Sequence, residues 1–291
     1  MNLSIFFYIL ISAVQVGLIY ALVSLGFNLL YSSTRIINVA YGEFIVLGGY
    51  TTLWLYTLYC IPPPLSLPIV IILSAAISLP IYFLLFEPIL KTRNVEYIEV
   101  WGVIVAFGLS IIMQGLMTVA WSAQSRAYSY LEEVVSIGQV TVTLNRLVVI
   151  AIAAVLILIL YYLLFKTDLG ISMRSVIQDP ALAETLGLNI RFIFILSFVI
   201  SFVIAGMAGV LLSMISEVSP FVGTTYMIMA FVITVVGGIG NPIGSLAGGL
   251  ILGFLDVLIG YTVGPGLNLF IVYTLLVIIL ITRPSGLLGR R

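Results

Sequence analysis

Three places in this sequence hold residues able to do chemistry. The first is Arg35-Ile-Ile-Asn-Val-Ala-Tyr-Gly-Glu-Phe44, with Gly48-Gly49-Tyr50 behind it. Asn38 and Glu43 are polar groups in an apolar run, and an ionisable residue there faces a bundle interior or a water-filled route. Glu43 therefore lines a path, or it is structural, paired with Arg35 or with the backbone ends of a broken helix. The second is residues 166–191, the most polar part of the chain. The third is Gly237-Gly238-Ile239-Gly240-Asn241-Pro242, which should break any helix that contains it.

Conventional catalysis finds no footing. The chain has no histidine, which removes Ser-His-Asp triads, HExxH zinc sites and most haem ligation. One cysteine, Cys60, makes neither a disulfide nor a metal cluster. No GxxxxGK[ST] run is present, so no P-loop for ATP is expected. Net charge is zero with no basic tract, which excludes nucleic acid as a partner. Tyr226, Asp256 and Glu217 have no convincing catalytic partner in sequence.

The elements that must position these residues are membrane-spanning. Of 291 residues, 62% are hydrophobic and 8% charged, about a third of the charge of a soluble domain. Seven charge-free stretches exceed 18 residues: 1–34, 44–86, 100–125, 147–165, 192–216, 218–255 and 257–282. Each spans once, at about 20 residues per crossing. Two are long enough for two crossings and carry breakers midway, Pro62-Pro63-Pro64 and the residues from Gly237 to Pro242. The expectation is an all-α polytopic transmembrane bundle in one domain, residues 1–291. It has about nine segments, bounded by eight and ten, with broken or re-entrant helices. The first stretch lacks a basic start and is too long for a signal peptide, so none is expected.

Nine crossings place Arg35, Lys91, Arg93, Lys166, Arg174, Arg191, Arg283, Arg290 and Arg291 on one side, and only Arg126 and Arg146 on the other. The positive-inside rule makes the first side cytoplasmic, with the N-terminus outside and the C-terminus inside. Glu43, seven residues beyond Ile36, would then lie roughly 10 Å deep at 1.5 Å per residue. The outer loop, residues 123–146, alternates in its later part like a short strand pair.

In the inner loop, Asp179-Pro180 reads as an N-cap with proline at the first helical position, and Gly187 as the residue past the end. A short helix from about Pro180 to Leu186 puts Leu182 and Leu186 on one face, suited to a partner's groove. A further turn of helix is expected from Ile171 to Ile177.

Asp179-x-x-x-Ala183-x-x-x-Gly187 resembles the cytoplasmic coupling loop of ABC-transporter permeases, which docks on an ATPase subunit. The Asn38-to-Glu43 motif is similar to the Ile-Asn-Phe-Ala-His-Gly-Glu of branched-chain amino acid permeases of the LivH type. Asn38, Glu43, Gly48 and Gly49 match; Val39 and Tyr41 depart, the family usually having histidine at the latter. The block from Ala230 to Gly253 resembles the same family's glycine-rich segment. Arg283-Pro-Ser-Gly-Leu-Leu-Gly-Arg290 resembles its Met-Pro-Thr-Gly-Ile-Leu-Gly-Arg tail.

The resemblance implies the permease subunit of an ATP-driven importer in a prokaryotic inner membrane. Its cargo would be leucine, isoleucine, valine or a related small amino acid, with urea, amides or another polar solute as the neighbouring alternative. A proton-coupled carrier using Glu43 is the rival mechanism. The implied partners are a second homologous permease, two ATP-binding cassette subunits, an extracytoplasmic binding protein and the lipid bilayer. This chain would hold no cofactor, ATP and Mg belonging to the partners. The implied pathway residues are Asn38, Gly42, Glu43, Gly237, Gly238 and Asn241. Those implied for ATPase coupling are Arg174, Asp179, Pro180, Leu182, Ala183, Glu184 and Gly187.

Overall fold

The computed structural model describes residues 3–92, 94–137, 140–262, 264, 268–283 and 286–288. Arg93, Arg290, Arg291 and parts of the C-terminal tail motif (Pro284, Ser285 and Gly289) lie outside the described residues.

Among the described residues, nine apolar helices lie in the expected segments: α1 (Leu3–Thr34), α2 (Tyr41–Tyr59), α3 (Leu67–Ile81), α5 (Val95–Trp121), α6 (Leu144–Lys166), α9 (Ile190–Ser213), α10 (Val222–Gly237), α11 (Pro242–Thr262) and α12 (Asn268–Thr282). Six helical spans among the described residues are long and apolar enough to cross a bilayer. One of these spans, Pro63–Leu90, contains α3, and the apolar helices outside them are α2, α10 and α12, of 19, 16 and 15 residues. Short helices remain: α4 (Glu87–Leu90), which continues α3 through a π-turn, and α7 (Asp168–Gln178) and α8 (Pro180–Thr185) in the polar loop. The proline run at 62–64 separates α2 from α3, with Cys60 left-handed at φ 54°. The glycine run separates α10 from α11. Both breakers act where their backbone chemistry requires.

Two ends are recognisable. At the cap end, β1 (Val134–Ile137) and β2 (Val140–Thr143) form an antiparallel hairpin with Val134 opposite Thr143 and Ile137 opposite Val140. Backbone bonds between Arg126 and Val218 tie the cap to the link before α10. Tyr56 of α2 donates to Ser129 O of the cap, and Tyr128 of the cap pairs with Ser213 Oγ of α9, each at 2.9 Å. Burial pushes the Tyr128 phenol above its usual range, against the lowering effect of the Ser213 bond, so it stays a neutral hydroxyl. At the opposite, loop end lie α4, α7 and α8.

Neighbours repeat in a pattern. Helices α1, α2, α3 and α5 correspond to α9, α10, α11 and α12, and α6 stands outside the scheme. Thus α1 packs on α11 as α9 packs on α3, and α2 packs on α9 as α10 packs on α1. The pairs α1·α9 and α2·α10 map onto themselves. An odd number of crossings separates the halves, so they run in opposite senses, the organisation of an inverted repeat. Small residues allow it. A Cβ on Gly249 would strike the backbone of Ala21, one on Gly253 that of Gly17, and one on Gly209 the carbonyl of Ile45.

Candidate functional site

The first break makes the site. Helix α1 ends at Thr34, Arg35 turns left-handed at φ 60°, and α2 begins only at Tyr41. Between them the chain climbs instead of coiling. Ile36 packs at Gly102 of α5, whereas the Glu43 carboxylate reaches Ser110 and Gln114 of the same helix. That is eight to twelve residues of α5, a rise of about 12–18 Å over seven residues of chain. Glu43 therefore lies about 12–18 Å beyond the level of Ile36, deeper than the 10 Å expected of a helical start. The cause is the non-helical stretch, whose rise per residue exceeds that of a helix.

At this depth α2 meets α10 head to head. The start of α10 is carried inward from the cap by the non-helical link through Val218, as the start of α2 is carried inward from the loop end. A Cβ on Gly42 would collide with the carbonyl of Gly223, so the two backbones touch. Two discontinuous helices whose N-termini converge inside a bundle form the kind of polar site found in transporters.

The side chains there are buried and incompletely bonded. Ser110 Oγ and Gln114 Nε2 donate to Glu43 Oε1 at 2.8 and 2.9 Å, and Gln114 Nε2 also lies 3.4 Å from Thr224 Oγ1 on α10. Glu43 Oε2 is buried with no hydrogen-bond partner among the described residues. Asn38 Oδ1 accepts from Ala40 N at 3.1 Å, while its buried Nδ2 has no such partner. Leaving a buried polar atom unmatched costs about 1–3 kcal/mol, so this corner is held at a local expense of about 2–6 kcal/mol. The pairing of Glu43 with Arg35 does not form: Arg35 is exposed at the loop end, and serine and glutamine hold the carboxylate instead.

Gly237, Gly238 and Asn241 lie elsewhere. Gly223 and Gly237 are fourteen residues apart on α10, so the second break sits about 21 Å away, at the loop end. Asn28 of α1 knits it together. Its Nδ2 donates to Ser245 Oγ at 2.7 Å and Asn241 O at 3.2 Å, and its Oδ1 accepts from Gly240 N at 2.7 Å. Asn241 Oδ1 caps α11 by accepting from Ile243 N and Gly244 N, and its Nδ2 donates to Leu288 O at 2.8 Å. Leu287 N donates to Val236 O.

The polar loop folds as expected of a capped pair. Asp179 Oδ1 accepts from Leu182 N at 3.0 Å, Pro180 occupies the first turn of α8, and Gly187 is left-handed at φ 86°. Leu182 and Leu186 point outward, 58% and 73% exposed. Ala183 instead faces inward, packed with Leu164, Met173, Val176 and Ile193. Arg174 lies over the Phe165 ring, 4.7 Å from its centroid. Beneath α8 a cavity of about 720 Å³ is lined by Arg35, Glu87, Lys91, Asp179, Glu184 and Arg191 among others. Glu87 bridges Arg191 at 2.6 Å and Lys91 at 3.2 Å, joining α4 to the start of α9.

Sequence reasoning missed Asn28, Ser110, Gln114 and Glu87. A signal existed for two of them: Ser110 and Gln114 are four apart, one helix face, in a charge-free stretch.

A helical bundle with a buried carboxylate where two half-helices converge defines a membrane-embedded permease. The chain belongs to the family described as the branched-chain amino acid transport system permease component, which matches residues 9–280. It is 30% identical to a probable branched-chain amino acid transport permease protein LivH of Methanocaldococcus jannaschii, over 97% of this chain and 92% of that one. It is 27% identical to the high-affinity branched-chain amino acid permease BraD of Pseudomonas aeruginosa, over 97% and 95%. Identity to the Escherichia coli LivH permease is 26%, over 96% and 94%. No solved structure matches the chain.

Proposed function

We propose that this chain is the membrane subunit of an ATP-driven importer that passes leucine, isoleucine, valine or a related small amino acid into the cytoplasm. The observation that carries the reading is the buried corner of Asn38, Gly42 and Glu43 at the convergence of α2 and α10, in a chain of this family. Its unmatched Asn38 Nδ2 and Glu43 Oε2 suit a polar solute in transit, giving it a donor and an acceptor.

In this arrangement the cap end faces the exterior and receives solute from a binding protein. The loop end, with Arg35, Lys91, Lys166, Arg174, Arg191 and Arg283, faces the cytoplasm, as the positive-inside rule requires. An ATPase subunit grips the exposed Leu182–Leu186 ridge of the α8 turn, whose geometry Asp179, Pro180 and Gly187 set. Ala183 and Arg174 seat α7 and α8 against the bundle, so that a push on the ridge reaches α6 and α9. Gly237, Gly238 and Asn241 act as a fixed corner and not as a lining. ATP and Mg stay with the two ATPases, a second permease completes the pair, and this chain makes and breaks no covalent bond.

The test is reconstitution in proteoliposomes with the sister permease, two ATPases and the binding protein. Leucine uptake should require ATP inside and the binding protein outside, and isoleucine and valine should compete. Uptake by this chain alone, driven by a pH gradient and indifferent to ATP, would establish the proton-coupled carrier instead.

A further inference from the structure

At the cap end a separate cavity of about 540 Å³ lies between the first turns of α1, the start of α6, the segment just after α9 and the last turns of α11. That is within the range of small-molecule sites. Part of its wall is aliphatic: Ile9, Val16, Met214, Ile215 and Val257.

The rest is polar and of both signs. Arg146 Nη1 donates to Ser12 Oγ at 2.7 Å, and the guanidinium carbon lies 5.1 Å from the Tyr8 ring centroid. A guanidinium has five N–H donors, so most of the fork is available to a ligand. Gln15 is 3% exposed and lines the cavity, and its buried Nε2 has no partner among the described residues. Asn145 lines it too. Its Nδ2 is fixed on Met214 O, and its buried Oδ1 is unmatched. Glu132 adds a carboxylate.

The cavity thus offers donors suited to a carboxylate, acceptors suited to an ammonium, and an aliphatic wall. A simple anion would meet Glu132 and Asn145 Oδ1, and a simple amine would meet Arg146. We propose that this cavity is an outer reception site for an α-amino acid with an aliphatic side chain. Arg146 and Gln15 hold its carboxylate, Glu132 and Asn145 hold its ammonium, and the α1–α11 wall covers its hydrocarbon. The inference rests on the importer reading and adds a waiting position ahead of Glu43.

The experiment is equilibrium binding of radiolabelled leucine to the full chain in phosphatidylcholine nanodiscs. Saturable binding is expected, displaced by isoleucine and valine but not by leucinol or 4-methylpentanoate, which lack the carboxylate and the amine. Arg146→Gln should weaken it at least about tenfold, as loss of a charged hydrogen-bond partner does. Arg146→Lys should be intermediate, since it keeps the charge but loses the fork. Absence of saturable binding, equal displacement by leucinol, or full binding by Arg146→Gln overturns the proposal. So does displacement of leucine by added phosphatidylethanolamine that requires Arg146, which would make the cavity a lipid headgroup site. If the assembled transporter still imports leucine while the chain alone binds none, the cavity fails and the importer stands. If the assembled transporter imports no leucine, the importer reading itself fails.

Discussion

The two breaks in the helical core use similar residues to opposite ends. Between α10 and α11, Asn28 and Asn241 match the groups that the turn exposes, and the tail adds two backbone bonds. Between α1 and α2, Asn38 and Glu43 each keep a buried atom unmatched. An interior that satisfies one break through five or more hydrogen bonds has the means to satisfy the other. The second break is bonded throughout, whereas the first keeps unmatched groups, which in the proposed importer a solute in transit would match.

Substitutions should separate the two. The largest effect is expected from Gly42→Leu. Its side chain has no room beside Gly223, so the half-helices cannot meet and folded protein should be lost, seen as aggregation in size-exclusion chromatography. Asn28→Ala should come next, leaving the Gly240 N–H unmatched and lowering stability by about 2–4 kcal/mol in thermal melts, with transport falling only as folded protein falls. If Asn28→Ala abolished transport at full stability, the two breaks would exchange roles.

Glu43→Gln should change stability by less than about 1 kcal/mol, since Ser110 and Gln114 retain an oxygen to donate to. Uptake should still drop by about tenfold or more, equal to about 1.4 kcal/mol of barrier. A fully active variant would return Glu43 to a structural part. The smallest change in stability, within about 0.5 kcal/mol, is expected for Leu182→Asp, on an outward face far from either break. Co-purification with the ATPase should nonetheless be lost, and its survival would remove the ridge from the docking surface.

Much of this architecture could be read before any coordinates. Apolar length and Gly or Pro punctuation are local properties, and they located the breaks at 62–64 and 237–242, the caps at Asp179 and Gly187, and the hairpin. Depth was not local. Counting helical rise from Ile36 sets Glu43 too shallow, because residues 35–40 are not helical and the carboxylate lies farther in. Nor was facing local: Leu182 and Ala183 are neighbours, and only packing against α6 and α9 sends one outward and the other in. The partners of Glu43 depend on how α5 is rotated, and the cap cavity on four elements distant in sequence. A single chain's pattern carries neither.

Helix α1 has one more consequence. It runs 32 residues, about 48 Å, and lines both cavities, with Ser12 at the cap end and Ser32 about 30 Å away at the loop end. If the subunit switches between outward- and inward-open forms, a rod of that length gives it a see-saw. A tilt of about 6° about its middle would carry each tip about 2.5 Å, in opposite directions. Widening one mouth would then narrow the other, and the Ser12–Arg146 and Asn28–Gly240 bonds are the two that such a tilt would load.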